Sequence, residues 1–76
     1  MNANWKADYK GYGMVLGRHF HNDEAHFVVT RPNREGRPEE VHHGYCHGQH
    51  MSDEAAWEAA ERAAHAYIDE NLPPLD

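Results

Sequence analysis

The sequence predicts an α+β fold in which a three-stranded antiparallel sheet is followed by one C-terminal helix packed on one face (βββα). Two observations lead to this prediction. Apolar residues recur at three-and-four spacing in the last third of the chain, as on a helix with one buried face. Three earlier segments are short, rich in β-branched and aromatic residues, and separated by turn-forming residues. The 76 residues leave room for a single domain, 1–76, with one hydrophobic core.

The first predicted strand, residues 12–21, alternates between two sets of side chains, as a strand with two different faces does. Residues 1–10 before it are expected to form a loosely ordered arm, and the whole sheet is predicted over 11–47. The pair Asn22-Asp23 predicts a two-residue hairpin turn, because both residue types tolerate positive φ. This turn would place Leu16 opposite Val29 in the second strand.

The second strand, residues 25–31, is followed by a loop bounded by prolines and by a third strand that ends at residue 47. Pairing across this loop would bring Val29 opposite Val41. His43 and Tyr45 would then share the helix side of the sheet with Val41, because side chains alternate along a strand. The opposite face would collect most of the other histidines.

The last element is a helix predicted over 52–72. Ser52 suits the N-cap position, and two acidic residues follow in the first turn, where the helix dipole favours negative charge. Asn71 is expected to end the helix in a left-handed conformation, and the prolines that follow prevent its continuation. The predicted buried stripe consists of Ala56, Trp57, Ala60, Ala63, Ala64, Tyr67 and Ile68.

The chain is acidic, with a formal net charge of −6, and its charge is unevenly distributed. Residues 1–37 hold six basic side chains against four acidic ones, whereas residues 38–76 hold one against nine. Binding to a phosphate backbone needs clustered lysine and arginine, so a nucleic-acid partner is not expected for the chain as a whole. The exposed loop with Arg31, Arg34 and Arg37 is still a candidate partner-binding segment for phosphate or an acidic protein.

A cytoplasmic location without membrane contact is expected. The single cysteine, Cys46, excludes an intramolecular disulfide, and a reducing compartment is the usual setting for such a chain. The start of the chain lacks the apolar run of a signal peptide, and no segment approaches the ~20 apolar residues of a membrane span.

The chain is rich in histidine, with eight residues of this type. His19 and His21 would share one strand face, and the predicted register adds His26 and His42 to that face. Converging imidazoles hold Zn²⁺, Ni²⁺ or Cu²⁺, so these four residues are the candidate metal ligands, and no other cofactor is predicted. The alternative is that they are solvated polar residues, because their spacing matches no recognised zinc motif.

No catalytic residue is predicted. Cys46 and His47 are adjacent on a strand and would point to opposite faces, which separates a thiol from the simplest imidazole partner. Ser52 is better explained as a helix cap, and no glycine-rich phosphate loop precedes the helix. The sequence therefore predicts a protein that is not an enzyme.

Residues 66–75 resemble the C-terminal helix and tail of MbtH-like proteins, which are small three-strand-plus-helix partners of nonribosomal peptide synthetase adenylation domains. The central Ser-Leu-Trp-Pro signature of that family has no counterpart here, so the family is not assigned and no functional residue is carried over. The chain as a whole resembles short uncharacterised bacterial proteins with a Gly-Tyr-initiated sheet and an alanine-rich helix ending in Ile-Asp. This second resemblance implies the fold and no activity.

The sequence favours a small acidic interaction module that acts through a protein partner or as a homodimer. One alternative is a transition-metal binding protein that uses the four histidines. A further alternative is a nucleic-acid contact through the loop between Arg31 and Arg37.

Overall fold

The computed structural model describes residues 4–18, 24–46 and 52–75. Its elements in chain order are β1 (Asn4–Tyr9), β2 (Tyr12–Arg18), β3 (Ala25–Pro32), β4 (Pro38–Cys46) and α1 (Asp53–Asn71). The strands form one antiparallel sheet in the order β1-β2-β3-β4, and α1 lies across one face, mainly over β2 and β3. The α+β class, the antiparallel sheet and the single C-terminal helix are confirmed.

The predicted number of three strands is wrong, because the segment 1–10, expected as a loosely ordered arm, contains the edge strand β1. The turn between β1 and β2 consists of Lys10 and Gly11, with φ of 53° and 89°. Positive φ at both central residues is the hairpin geometry that matches the twist of the flanking strands. The signal in the sequence is weak, because lysine rarely adopts positive φ and β1 contains no β-branched residue.

The pairing of β2 with β3 differs from the prediction by two residues. Leu16 lies opposite Phe27 instead of Val29. A displacement of two preserves the faces, because side chains alternate with a period of two. Four described residues that were predicted to face the helix are therefore still buried beneath α1: Met14, Leu16, Phe27 and Val29. The predicted turn residues Asn22-Asp23 lie outside the described residues.

The pairing of β3 with β4 follows the prediction only near the loop. Thr30 lies opposite Glu40, but the register then shifts by one residue at an irregularity between Val29 and Thr30. Val29 consequently lies opposite His42, and Val41 is the extra residue of a β-bulge. A shift of one residue exchanges the two faces of the strand beyond it.

The bulge decides which β4 side chains contact the helix. The predicted helix-side position is wrong for His43 and Tyr45, which are exposed on the outer face, although Val41 does pack against the core. His42 instead lies on the helix side, where its ring stacks on that of Tyr67 with the centroids 3.9 Å apart.

The core lies between α1 and the helix side of the sheet. Four residues of α1 at four-residue intervals are 0 % exposed: Ala56, Ala60, Ala64 and Ile68. The small alanine side chains let the helix approach closely to Met14 and Leu16 of β2, which are fully buried. The other members of the predicted stripe, Trp57, Ala63 and Tyr67, are partly buried at the margins of the core.

Both ends of α1 lie within one residue of the predicted bounds 52 and 72, and only the conformation at the C-terminal end differs from the prediction. The Ser52 hydroxyl accepts a hydrogen bond from the backbone N–H of Ala55 at 3.1 Å. The left-handed conformation predicted for Asn71 is wrong, since its side chain donates to the Tyr67 carbonyl and the chain continues extended at Leu72. Within the described residues, no helix is sufficiently long and apolar to pass through a lipid bilayer.

Candidate functional site

A groove runs between the edge strand β1 and the helix, and we call it the β1–α1 groove. The helix lies mainly over β2 and β3, so the helix side of β1 is only partly covered. Four residues of strand span about 13 Å, and eight residues of helix span about 12 Å. The strand can therefore contact the helix at Trp5 and again four residues later at Tyr9, where the helix partners are eight residues apart. The strand presents Trp5, Ala7 and Tyr9, and the helix presents Trp57, Glu61 and His65.

Two indole rings lie at the N-terminal end of this groove. The rings of Trp5 and Trp57 have centroids 5.5 Å apart and are inclined by 30°. Together with Leu16 they line an open cavity of about 280 Å³. Trp5 remains 52 % exposed, and these are the 2 tryptophans of the whole chain. Partly exposed indoles are enriched at protein interfaces, because they offer a large apolar area that a partner can cover.

The same cavity has an acidic rim, formed by Glu54, Glu58 and Glu61 of α1. Their spacing of four and three residues places them on one side of the helix. The described residues that line this cavity include no lysine and no arginine. Carboxylates and indole faces both attract a positive charge, so the groove is electrostatically suited to a cationic group.

The other end of the groove is closed by contacts between the first hairpin and the helix. The ring of Tyr9 stacks on His65 with centroids 3.9 Å apart, and its hydroxyl donates to Asp69 at 3.1 Å. The ammonium group of Lys10 also donates to Asp69. This hydrogen bond lowers the pKa of Asp69 and raises the pKa of Lys10.

The two predicted metal ligands that the structure describes lie on opposite faces of the sheet. His26 lies on the outer face of the sheet, whereas His42 lies on the helix side against Tyr67. His19 and His21 lie outside the described residues. Within 4–18, 24–46 and 52–75, no three metal-ligating side chains form a group that would hold an ion. The four-histidine site stays a prediction.

The outer face carries a small cluster of rings instead. His26 lies 5.6 Å from His43, and His43 stacks on Tyr45 with centroids 5.0 Å apart. The bulge in β4 brings these rings together, since it turns His43 and Tyr45 away from the helix.

The arginines of the predicted partner-binding loop are all exposed. Arg31 and Arg34 line an open groove of about 730 Å³, and Arg37 is not among its lining residues. Glu35 and Glu39 line the same groove, and Arg31 lies 3.9 Å from the carboxylate of Glu39. Positive and negative groups are therefore mixed in this groove, and such a mixture attracts phosphate less strongly than a cluster of arginines alone.

The thiol of Cys46 is half-buried and donates to the carbonyl oxygen of Ala59 at 3.5 Å. Burial raises the pKa of this thiol, and the charge of Arg62 only partly opposes that effect. A raised pKa keeps the group as a neutral thiol, which is the less reactive form.

No protein-family model matches the chain, and neither a curated protein nor a solved structure matches it significantly. The β1–α1 groove was not predicted from the sequence, because residues 1–10 were expected to form an arm. The alternation of Trp5, Ala7 and Tyr9 with charged residues was the signal for a strand with one aromatic face.

Proposed function

We propose that the protein is a non-enzymatic interaction module that binds a protein partner through the β1–α1 groove. The pair of indoles in an open cavity supports this proposal, because Trp5 is 52 % exposed although it lies beside the core. Covering a large apolar side chain contributes about 1.5–3 kcal/mol, and tryptophan is enriched among the residues that dominate interface energies.

The composition of the groove supports binding rather than chemistry. Its described lining residues are two indoles, a leucine and three carboxylates, which offer a ligand apolar area and negative charge. The outer face is a weaker candidate, because two of the three rings in its cluster are imidazoles, whereas tryptophan, tyrosine and arginine dominate interface energies.

Affinity capture from the native cell tests the proposal with a matched pair of variants. Trp5→Ala removes half of the indole pair, and Tyr45→Ala is its control, because both side chains are 52 % exposed and lie on different faces. The Trp5→Ala variant is expected to lose the specific partners detected by quantitative mass spectrometry, whereas Tyr45→Ala retains them. Circular dichroism melting curves check that both variants fold. Retention of the partners by a folded Trp5→Ala variant would show the proposal to be wrong.

The homodimer is a special case in which the partner is a second copy of the chain. Light scattering identifies it directly. If the wild-type protein is a dimer and Trp5→Ala is a folded monomer, the groove is the interface between copies. If both are dimers, self-association uses another surface.

A further inference from the structure

We infer that the occupant of the β1–α1 groove is an extended peptide segment of the partner that pairs with the free edge of β1 and places a lysine or arginine side chain against the two indoles. This inference rests on the proposed function and adds the chemistry of the occupant. It combines three features of the groove: an open strand edge, a cavity beside that edge, and a negative rim.

The open edge is provided by β1, the terminal strand of the sheet. Among the described residues, β1 pairs with β2 on one side and with nothing on the other. The backbone N–H and C=O groups on that side are available to an added strand, which is a common way for a sheet to bind an extended peptide. The charged residues Lys6 and Asp8 lie on the outer face, opposite Val15 and Gly13, so they do not cover the groove side of β1.

The cavity lies where side chains of an added strand would enter it. A fifth strand would run about 4.8 Å beyond β1, and every second side chain would point to the same side as Trp5. That side faces the helix, where Trp57 and the three carboxylates line the cavity of about 280 Å³. A long side chain that leans over β1 therefore reaches both indoles.

The charge of the rim selects the kind of side chain. Glu54, Glu58 and Glu61 lie beside the apolar floor on the helix side, so an acidic side chain would be repelled and a neutral one would gain no attraction from the carboxylates. A guanidinium group stacks on an indole face while it donates hydrogen bonds to carboxylates, and an ammonium group satisfies the same charge. The matching occupant is thus a cationic segment in extended conformation.

Tryptophan fluorescence measures binding at this site alone, because both tryptophans of the chain line the cavity. The probe is a short synthetic peptide of alternating threonine and valine with one central arginine. One control peptide has glutamine in place of the arginine, and another keeps the arginine but carries N-methyl groups on alternate backbone amides, which prevents strand pairing. Both controls are expected to bind at least roughly tenfold more weakly than the parent peptide, whose own affinity falls as salt rises.

Variants of the protein test the acidic rim separately. Glu58→Gln with Glu61→Gln removes two rim charges from the helix surface without changing side-chain size. The matched control is Glu35→Gln with Glu70→Gln, which removes two exposed charges outside the cavity. The rim variant is expected to bind the arginine peptide roughly tenfold more weakly, and the control is expected to bind it as the wild type does. Thermal melting confirms that both fold.

Three results would overturn the inference: no binding of the arginine peptide at millimolar concentration, equal binding of the glutamine peptide, or equal binding of the N-methylated peptide. None of them would contradict the proposed function if Trp5→Ala still loses its cellular partners, since the groove would then take a different occupant. Retention of those partners by Trp5→Ala would instead contradict the proposed function itself.

Discussion

At the scale of single residues, the fold explains why position 44 is a glycine. In the sequence this glycine only interrupts a strand pattern. In the structure it lies on the helix side opposite Phe27, and a Cβ built on it would be 2.4 Å from the Cζ atom of that ring. Phe27 is 5 % exposed and belongs to the core, so its ring has little freedom to move away. The absence of a side chain at Gly44 leaves the space in which the Phe27 ring packs.

The substitution Gly44→Ala is therefore expected to lower the free energy of unfolding by about 1–3 kcal/mol, because the added methyl group overpacks the core against Phe27. Urea unfolding followed by circular dichroism measures the change. In a Phe27→Leu background the same substitution should cost less, since the shorter side chain leaves room for the methyl group. Equal costs in the two backgrounds would show that the ring is not the obstacle.

At the scale of elements, one extra residue in β4 determines which rings meet. Near the loop that joins β3 to β4, the residue pairs match a register without a bulge, with Thr30 opposite Glu40. The irregularity between Val29 and Thr30 then exchanges the two faces of β4 beyond it. His42 stacks on Tyr67 of the helix as a result, while His43 joins the outer cluster. The sequence pattern of β4 does not mark this change of face, because Val41, His43 and Tyr45 share one parity and would all face the helix in a regular strand.

The N-cap residue Ser52 is expected to stabilise the start of the helix. Ser52→Ala is expected to lower the free energy of unfolding by about 1 kcal/mol, because the backbone N–H of Ala55 loses its partner at the exposed helix start. Ser52→Asp, which retains an acceptor, should stay close to the wild type. Thermal and urea unfolding of the three proteins measure the difference. Equal stability of the alanine and aspartate variants would show that the cap contributes nothing.

At the scale of the whole molecule, the end of the helix is fastened to the first hairpin. The Tyr12 hydroxyl donates to the carbonyl of Pro73, and the Leu75 N–H donates to the carbonyl of Lys10. Asp69 adds the side-chain contacts with Tyr9 and Lys10 that close the groove. These contacts join residues about sixty positions apart and hold β1 beside the helix.

The ion pair in this region predicts a particular dependence of stability on pH. The pKa of Asp69 is lowered from 3.8, so its stabilising contribution is present above that value and is lost as pH falls through the folded-state pKa. The pKa of Lys10 is raised from 10.5, so its contribution is present below that value and is lost as pH rises through the folded-state pKa. Between these limits both groups are charged, and the ion pair contributes its full effect to stability.

Asp69→Asn should therefore be less stable than the wild type near neutral pH, by a small amount because both partners are exposed. The difference should shrink in strong acid and in strong alkali. Urea unfolding of both proteins across this pH range measures it, with Glu70→Gln as the control for loss of a neighbouring exposed carboxylate. A difference that is constant with pH would contradict this assignment of the ion pair.

The sequence by itself determined the elements whose signal is local. The alanine stripe identifies the helix, and the Ser52 cap identifies its start. The alternation of side chains identifies the two faces of β2 and β3. Each of these signals depends only on neighbours along the chain. Even a displacement of two residues in the first predicted pairing left those faces unchanged.

The tertiary structure alone decided the pairing of β1 at the sheet edge, the position of the bulge and the presence of the groove. β1 has weak intrinsic strand signals and is held by pairing with β2 and by the contacts of Trp5 and Tyr9 with the helix. Whether His42 faces the helix depends on one unpaired residue at Val41, which no local pattern marks. A groove between a strand and a helix some fifty residues apart exists only once both pack on the same core, because long-range packing is not encoded in local periodicity.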